Sequence, residues 1–267
     1  MTERGGIVND LIKHSVDGPV SILSMEARPH NFMSIAFLDA VLDGLSAAES
    51  AGSRAVILRS GLKNFSAGAD VDYLNEVRNA AIAGRAHPYD LPGFLSRFES
   101  CRLPVIASVH GICVGGGLEL AIACDYIIAS ESAKLGCVEV VVGLHPLMGA
   151  VQRITQRAGA LRASEMAILG RRYDASTLER WNLLNLVVPD DRLQSATLSI
   201  ANEIAAGPTV AHTASKQLIR ISVSQGVAAA DAAMTQLQAS IWASKDLVLG
   251  LAAYKAGDLG STKYEGV

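Results

Sequence analysis

The sequence predicts an α/β fold of stacked ββα units followed by a helical segment. Strand-like runs, turns and helical stretches recur about four times between residues 20 and 145, without a letter-by-letter repeat. Glycine-rich turns separate a strand from a helix in two of these units. From Gly149 onward the pattern changes to helices. This rhythm favours stacked units over one doubly wound sheet.

The first half of the chain opens with an apolar strand at residues 20–25. Apolar residues at helical spacing predict a helix over 34–51, with Ser34 as its N-cap and Gly52 at its end. The predicted elements that follow are a strand at 54–60, a small-residue turn at 65–69, a helix from Asp70, a strand at 104–109, a helix at about 117–123, strands at 125–130 and 134–137, and a helical turn from Glu139.

Residues 76–95 form the least regular stretch of the sequence. Gly84, Pro88, Pro92 and Gly93 interrupt any helical or strand-like pattern there. Long loops in compact domains are usually functional or disordered. We therefore expect this stretch to form a mobile wall of a binding pocket.

The last third of the chain is predicted to be helical and to serve packing and assembly. Asn182 stands where a left-handed residue would end a helix. The predicted elements are helices at 163–169, 175–181, 196–206 and 211–223, a strand at 186–188, and either one long helix or a broken pair over 227–255. We divide the chain into a ββα core with the active site, residues 1–195, and a helical oligomerisation segment, residues 196–267.

Composition argues against several classes of partner. The formal net charge is −3, from 23 basic and 26 acidic residues, so no overall field favours nucleic acid or an anionic membrane. No apolar run is long enough to span a bilayer, and the first ten residues lack the apolar centre of a secretory signal. We expect a cytoplasmic protein. Only 18% of residues are charged, which indicates that an oligomer covers part of the surface.

The cysteines predict neither a disulfide framework nor a metal site. Cys101, Cys113, Cys124 and Cys137 contain no C-x-x-C pair, and no histidines stand at zinc spacing. Each lies in or near an apolar stretch, so we expect buried free thiols.

The strongest chemical signal is the segment PVIASVHGICVGGGLELAIACD at residues 104–125. A strand leads into Gly115, Gly116 and Gly117, and a helix begins there. Three glycines leave the backbone bare, and the first amides of a helix have no internal partner. Together with the helix dipole, they suit an anion or an oxygen that becomes negative during a reaction.

A second turn of small residues, NFSAGAD at 64–70, also lies between a strand and a helix. Two such turns could each aim one amide at the same oxygen. The alternative, that both turns serve only close packing, stays open on glycine content alone. The dinucleotide pattern G-x-G-x-x-G fails at Cys113 and Leu120, and G-x-S-x-G fails at Asn64.

Glu119 and Glu139 are carboxylates in apolar surroundings. Such groups are costly to bury unless neutralised or partnered. Each could simply cap a helix N-terminus. If both face one pocket, we expect one member to have a raised proton affinity and the other to stay ionised, which supplies an acid and a base. Of the histidines, we expect His110 to be structural and keep His145 as a pocket candidate.

These motifs resemble those of the enoyl-CoA hydratase/isomerase, or crotonase, family. The resemblance covers nearly the whole chain in order. The matching pieces are FSAGAD at 65–70, PVIA at 104–107, GGGLELA at 115–121, CD at 124–125, Gly143 with QR at 152–153, LVVP at 186–189 and YEG at 264–266.

The resemblance implies a crotonase-like spiral of ββα repeats with a C-terminal helical trimerisation segment. Such chains assemble as a homotrimer or as a hexamer, a dimer of trimers. It also implies that the amides of Ala69 and Gly116 hold the thioester oxygen of an acyl-CoA substrate. No cofactor is expected, because coenzyme A is part of the substrate.

The resemblance gives the two glutamates separate roles. Hydratases of the family carry both, and Glu119 and Glu139 match them at the family's separation. Glu139 would donate a proton to the α-carbon, and Glu119 would orient and deprotonate water. Substrate contacts are expected from the turn and from the basic residues near it: Ala67, Gly68, Asp70, Val71, Leu147, Lys63 and Arg28.

The resemblance leaves other functions open. The related acyl-CoA reactions are isomerisation, retro-aldol cleavage and hydrolysis of a ring bond. A different class is a scaffold or RNA-binding member without catalysis. The lack of a basic stripe argues against RNA, and the intact glutamate pair argues against an inactive scaffold.

Overall fold

The computed structural model describes residues 6–258, 260 and 262–267. The strands are β1 (Gly6–Asn9), β2 (Ile12–Asp17), β3 (Val20–Met25), β4 (Ala55–Ser60), β5 (Val105–Val109), β6 (Ile112–Val114), β7 (Tyr126–Ser130), β8 (Lys134–Gly136), β9 (Tyr173–Asp174) and β10 (Leu186–Val188). Short 3₁₀ helices cover Glu139–Val142 and Asp190–Arg192.

The α-helices alternate with these strands in the first half and dominate the second half. None of those in the described part of the chain combines the length and apolar character that crossing a membrane requires. They are α1 (Ile35–Ser50), α2 (Val71–Ile82), α3 (Leu91–Glu99), α4 (Gly116–Ala123), α5 (Ala150–Ala158), α6 (Ala160–Leu169), α7 (Ala175–Arg180), α8 (Leu193–Ala206), α9 (Thr209–Gln225), α10 (Val227–Trp242) and α11 (Lys245–Ala256).

Two sheets build the spiral. The larger has the order β1-β2-β3-β4-β5-β7-β10, antiparallel from β1 to β3 and parallel from β3 onward. The smaller has the order β6-β8-β9, with β6 and β8 parallel. Successive chain segments such as β5-β6-α4 therefore give one strand to each sheet and then a helix. This is the predicted ββα arrangement.

Both faces of the larger sheet are covered, and the side chains of each strand contribute alternately to the two faces. Successive side chains point to opposite faces. Leu23, Val56 and Leu58 join the main core, which α1, α3 and α4 cover, whereas Ile22 and Ile57 join a second cluster with residues of α8. The mostly apolar and largely buried residues of β3, β4 and β5 are thus what a sheet covered on both faces requires.

Most predicted elements are present, and the exceptions have local causes. Strands 20–25 and 186–188 and the helix capped by Ser34 are found as expected, and Asn182 is left-handed with φ 60°. Of the two arrangements considered for residues 227–255, the broken pair is correct, and α10 and α11 are separate helices. Strands β1 and β2 were not anticipated, because their sequence lacks a long apolar run.

The irregular stretch at 76–95 is largely helical, which corrects the expectation of a long loop. Helix α2 continues to Ile82 and α3 begins at Leu91. Asp90 caps α3 by accepting the Gly93 N–H at 3.0 Å. Pro92 lies in the first turn, where the missing N–H of proline does no harm. The proline and glycine taken as interruptions therefore mark a helix start.

The C-terminal helices are attached to the core by specific contacts. Helix α8 lies on the larger sheet, with Leu193, Ala201 and Ala205 in the second cluster. Lys216 of α9 donates to Asp125 Oδ2 at 2.6 Å, and the same oxygen accepts the Val105 N–H at 2.7 Å. The division at residue 195 stays a prediction, since α8 begins just before it and packs on the core.

Candidate active site

Hydrogen bonds to Asn31 fix the turn at residues 65–69. The Asn31 side-chain amide donates to Ser60 Oγ at 2.8 Å and to the Phe65 carbonyl at 3.0 Å. Ser66 Oγ donates to the Asn31 carbonyl at 2.7 Å. Gly68 at φ 99° then turns the chain toward α2, which Asp70 caps through the Asp72 and Tyr73 N–H groups. The turn is therefore fixed by buried polar contacts that its own sequence does not reveal.

The glycine triplet at 115–117 approaches this turn closely. Gly115 has φ 56°, and a Cβ built there would lie 3.4 Å from Gly68 Cα. A Cβ on Gly117 would lie 2.5 Å from Ser66 Cβ, closer than two carbons can pack. The absence of side chains thus lets the two turns contact each other through backbone, as the sequence predicted for both.

Two backbone N–H groups at these turns are without partners among the described residues. The bridge between Met33 and Ala69 uses the Gly68 carbonyl and the Asp70 N–H, which leaves the Ala69 N–H outside the ladder. Gly116 is the first residue of α4, so its N–H has no partner within the helix. Such donors can bind an oxygen that carries partial or full negative charge.

Glu119 is buried and hydrogen bonded. Its side chain lies on α4, is 3% exposed, and its Oε1 accepts the Met148 N–H at 2.6 Å and the Ala150 N–H at 3.1 Å. Burial raises the pKa of Glu119 to about 7, and the charge of Glu139 adds to this rise. The two N–H groups oppose it because they stabilise the ionised form.

Glu139 is half-buried, and its carboxylate oxygens are buried without hydrogen-bond partners among the described residues. It begins the 3₁₀ helix after β8. Its Oε1 lies 3.6 Å from the position a Cβ of Gly115 would take. Burial raises the pKa of Glu139, and the nearby His145 opposes the rise. We expected a raised pKa in one member of the pair only; burial raises the pKa of both.

One cavity of about 310 Å³ joins these groups. Ala69, Gly116, Glu119 and Glu139 all line it. The remaining wall is mostly apolar, and such low-dielectric surroundings strengthen electrostatic interactions inside the cavity. Of the predicted substrate-contact residues, Ala67, Gly68, Val71 and Leu147 also line the cavity.

Three predicted contact residues lie outside this cavity. Asp70 is occupied as the N-cap of α2, and Arg28 and Lys63 are exposed beyond the cavity wall. Their contact with substrate stays a prediction. His145 does not line the cavity either; its Nδ1 lies 2.7 Å from the Pro146 carbonyl. His110 is structural as expected, with Nε2 2.7 Å from the Leu62 carbonyl.

Sequence reasoning missed several residues of the cavity wall. Tyr73 and Leu74 face it from α2, and Leu91 does so from α3. Arg172, between α6 and β9, also lines the cavity, although it lies about 100 residues after α2 in the sequence. The helical spacing from Val71 to Leu74 was the available signal for α2. No local pattern marks Arg172, because only the pairing of β8 with β9 brings it near Glu139.

Comparisons with known proteins agree with this geometry. The model of the family described as enoyl-CoA hydratase/isomerase matches residues 17–257. A probable enoyl-CoA hydratase from Rhizobium meliloti (strain 1021) is 35% identical over 82% of this chain and 83% of that protein. A probable enoyl-CoA hydratase from Mycobacterium tuberculosis (strain CDC 1551 / Oshkosh) is 32% identical over 75% of this chain and 76% of that protein.

Solved structures give the same result for the fold. The crystal structure of an enoyl-CoA hydratase from Bacillus anthracis superposes with a TM-score of 0.85, covering 96% of this chain and 100% of that one at 30% identity. Together with the ββα spiral and the glycine turns beside two glutamates, these matches identify the family. This chain belongs to the enoyl-CoA hydratase/isomerase, or crotonase, family of enzymes that act on acyl-CoA thioesters.

Proposed function

We propose that this chain is a 2-enoyl-CoA hydratase, which adds water across the 2,3 double bond of an acyl-CoA thioester. One observation supports it above all. The free N–H groups of Ala69 and Gly116 and the carboxyl groups of Glu119 and Glu139 line the same cavity. Hydration needs both kinds of group together, because charge develops on the thioester oxygen while protons move at the adjacent carbons.

In this mechanism the thioester oxygen binds between the Ala69 and Gly116 N–H groups. Attack at C3 pushes electrons through C2 onto that oxygen and forms an enolate. Backbone donors suit this charge because they are fixed before the reaction and need little reorganisation. Losing one such donor in other enzymes raises the barrier by about 3–4 kcal/mol.

The glutamates would move the protons. Glu119 accepts one proton from the attacking water, whose oxygen forms the bond to C3. Glu139 donates one proton to C2, which completes the addition. Burial raises the pKa of both carboxyl groups, so each can take up and release a proton, and the N–H bonds to Glu119 hold its carboxyl group in place. No cofactor beyond the coenzyme A of the substrate takes part in this scheme.

The second glutamate is what favours hydration over isomerisation. An isomerase that moves a double bond between C3 and C2 needs one group to carry a proton between two carbons. Here a second buried carboxyl group lies at the cavity, oriented by two N–H groups. The alternatives of the same family are isomerisation, retro-aldol cleavage and ring-bond hydrolysis.

Product masses distinguish these reactions. The purified chain is incubated with 2-enoyl-CoA and 3-enoyl-CoA thioesters, and the products are separated by liquid chromatography, which resolves isomers of equal mass, before their masses are measured by mass spectrometry. Hydration adds one water, whereas isomerisation leaves the mass unchanged. The double variant Glu119→Gln/Glu139→Gln serves as the inactive control. A wild-type chain that converts 3-enoyl-CoA without gaining mass, and leaves 2-enoyl-CoA untouched, would exclude the hydratase assignment.

We further propose assembly as a homotrimer or a dimer of trimers in the cytoplasm. The C-terminal helices expose large apolar side chains, which supports a covered surface in solution. Trp242 is 71% exposed, Tyr254 72% and Val227 67%. Light scattering after size-exclusion chromatography measures the mass directly, and a monomer at micromolar concentration would contradict the proposal.

A further inference from the structure

The segment of residues 30–33 runs beside the turn at 65–69 and is hydrogen bonded to it. The Met33 N–H donates to the Gly68 carbonyl at 2.8 Å, and the Asp70 N–H donates to the Met33 carbonyl at 3.0 Å. These two bonds lie on either side of the Ala69 N–H. The direction of that N–H therefore depends on a segment that the turn itself does not contain.

The bond from Met33 acts on the same peptide unit that carries the free donor. The Gly68 carbonyl and the Ala69 N–H belong to one trans peptide, which is planar, so the two groups point in opposite directions. Fixing the carbonyl therefore also fixes the N–H, which no described residue accepts, and Ala69 lines the cavity. A hydrogen bond to the carbonyl of a peptide also polarises its N–H and makes it a better donor.

Asn31 anchors this segment through its backbone and its side chain. The residue is 0% exposed, and its N–H donates to the Ala27 carbonyl at 2.7 Å. Its side-chain amide donates to Ser60 Oγ at 2.8 Å and to the Phe65 carbonyl at 3.0 Å. Its carbonyl accepts the Ser66 hydroxyl at 2.7 Å. Asn31 thus ties the segment to the end of β4 and to the start of the turn.

The backbone of Asn31 is left-handed, with φ 52°. Few side chains tolerate this conformation, and asparagine is one of them. Within the part of the chain that the structure describes, Asn182 is the other residue besides glycine with positive φ, at 60°, and it is exposed. Asn31 differs from it in being buried and bonded to the turn, so its conformation and its contacts belong together.

We propose that Asn31 is a positioning residue for the reaction, because it fixes the peptide whose N–H, at Ala69, stabilises the enolate. Asn31 is absent from the described lining of the cavity, so it acts through the turn and not on the substrate. The inference rests on the proposed function, which assigns the thioester oxygen to the Ala69 N–H. It adds a residue outside the cavity on which the strength of that donor depends.

The proposal predicts that Asn31 affects the reaction more than the binding of substrate. The thioester oxygen carries little charge in the bound substrate and much more in the enolate. A misplaced donor therefore costs more as the enolate forms. Asn31→Gly removes the side chain and keeps the left-handed backbone accessible. Its kcat should fall about a hundredfold, whereas KM should stay within about threefold.

Asn182→Gly is the matched control, because it makes the same substitution in the same backbone conformation at an exposed residue. It should leave kcat and KM unchanged. An equal loss of kcat in this control would assign the effect to the freed backbone and overturn the inference.

A bound 3-oxoacyl-CoA reports on the donor directly and needs no hydration. The C2 proton of 3-oxobutanoyl-CoA is acidic, and its enolate absorbs in the near ultraviolet. Titration at saturating ligand gives the pH at which half of the bound molecules are enolate. Asn31→Gly should raise this midpoint by about two pH units, the equivalent of a hundredfold loss of enolate stabilisation. A loss of stability alone does not move the midpoint of folded protein.

Ser66→Ala provides a second variant that retains the Asn31 side chain. It removes the hydroxyl that donates to the Asn31 carbonyl. The enolate midpoint should rise by about one pH unit or less. Urea unfolding measures the folded fraction of each variant. If Asn31→Gly does not fold, Ser66→Ala decides, and a wild-type midpoint in it would overturn the inference.

The outcomes separate this inference from the function on which it rests. A folded Asn31→Gly chain that forms the enolate at the wild-type midpoint shows that the positioning role is wrong, even if 2-enoyl-CoA is hydrated. If 2-enoyl-CoA gains no water but the midpoint still rises in Asn31→Gly, the hydratase proposal fails and the positioning role stands. Hydration by the wild type, together with the raised midpoint and the selective loss of kcat, supports both.

Discussion

The segments that carry the two glutamates place the same side chain in opposite environments. Glu119 follows a glycine triplet on α4 and accepts two backbone N–H groups from the turn before α5. Glu139 begins a 3₁₀ helix and has no hydrogen-bond partner among the described residues. Both carboxyl groups are removed from water, so burial raises both pKa values, but only the Glu119 carboxyl group accepts hydrogen bonds of normal geometry.

The two glutamates therefore differ in that the carboxyl group of Glu119 is fixed by hydrogen bonds and that of Glu139 is not. Hydrogen bonds fix the direction of Glu119, which suits a group that must orient a small molecule such as water. An unpaired carboxyl group is not tied to a backbone donor and is free to turn toward a reacting carbon and exchange a proton with it. The two environments therefore match the two roles proposed for the pair.

The largest expected effect comes from removing the unpaired carboxyl group. Glu139→Gln cannot donate a proton to C2, so hydratase kcat should fall about a thousandfold. The kcat of Glu119→Gln should fall only about a hundredfold, because the glutamine oxygen can still accept hydrogen bonds from the Met148 and Ala150 N–H groups. Initial-rate assays with a 2-enoyl-CoA measure kcat for both variants. Equal losses in the two variants would remove the distinction between the roles.

A pH-dependent stability difference sharpens the comparison at Glu119. Its pKa is about 7 in the folded chain and 4.5 without burial. Folded Glu119 therefore binds its proton more tightly than unfolded Glu119. Relative to Glu119→Gln, the wild type should lose stability as pH rises from about 4.5 to about 7, by about 3 kcal/mol in total.

Urea unfolding of the wild type and of Glu119→Gln at several pH values measures this difference in the free energy of unfolding. The stability gained from the raised pKa is complete below pH 4.5 and absent above pH 7. A difference between the two proteins that stays constant with pH would contradict the effect of burial on Glu119.

A substitution at the base of α4 tests whether close backbone packing positions Glu119. A Cβ on Gly117 would lie 2.5 Å from the buried Ser66 Cβ. Gly117→Ala should therefore lower the free energy of unfolding by about 2 kcal/mol through overpacking. Removing the opposing side chain in Gly117→Ala/Ser66→Gly should restore part of it. If the losses of unfolding free energy in the two single variants simply add in the double variant, the two positions are not in steric contact and the prediction is wrong.

The smallest effect is expected at Gly115, beside Glu139. The Cβ in Gly115→Ala would lie 3.6 Å from Glu139 Oε1 and 3.4 Å from Gly68 Cα, so it narrows the space between the two turns. We expect about a tenfold loss of kcat/KM, or about 1.4 kcal/mol. Gly18→Ala is the control, since Gly18 has the same φ of 56° and open space around it. An equal loss of activity in that control would assign the effect to backbone strain alone.

Much of this site could be predicted because its signals are local. Three glycines before a helix and a small-residue turn before Asp70 indicate bare backbone wherever they occur. Glu119 and Glu139 stood out because carboxylates are rare in apolar runs. The parallel strands of the larger sheet were predictable because their residues are mostly apolar, as in β3, where every residue is buried.

What could not be predicted depends on contacts between distant segments. Asn31 supports the turn at 65–69 from more than thirty residues away, and Met148 and Ala150 reach Glu119 from the next unit of the spiral. Helix α3 was missed because a proline and a glycine have different meanings inside a helix and in its first turn. Arg172 enters the cavity wall only through the smaller sheet.

The smaller sheet also decides which changes in chain length the site can absorb. Strands β6 and β8 pair in parallel, Val114 opposite Gly136, and each leads within a few residues to one glutamate. The two strands lie about 4.8 Å apart, the usual spacing of neighbouring strands. The relative position of the two glutamates is therefore set by this pairing and not by the length of chain between them. Extra residues inserted at the exposed positions Glu131 and Ser132 should leave the pair aligned. A one-residue deletion within β8 would turn its side chains to the opposite face and carry Glu139 away from its partner.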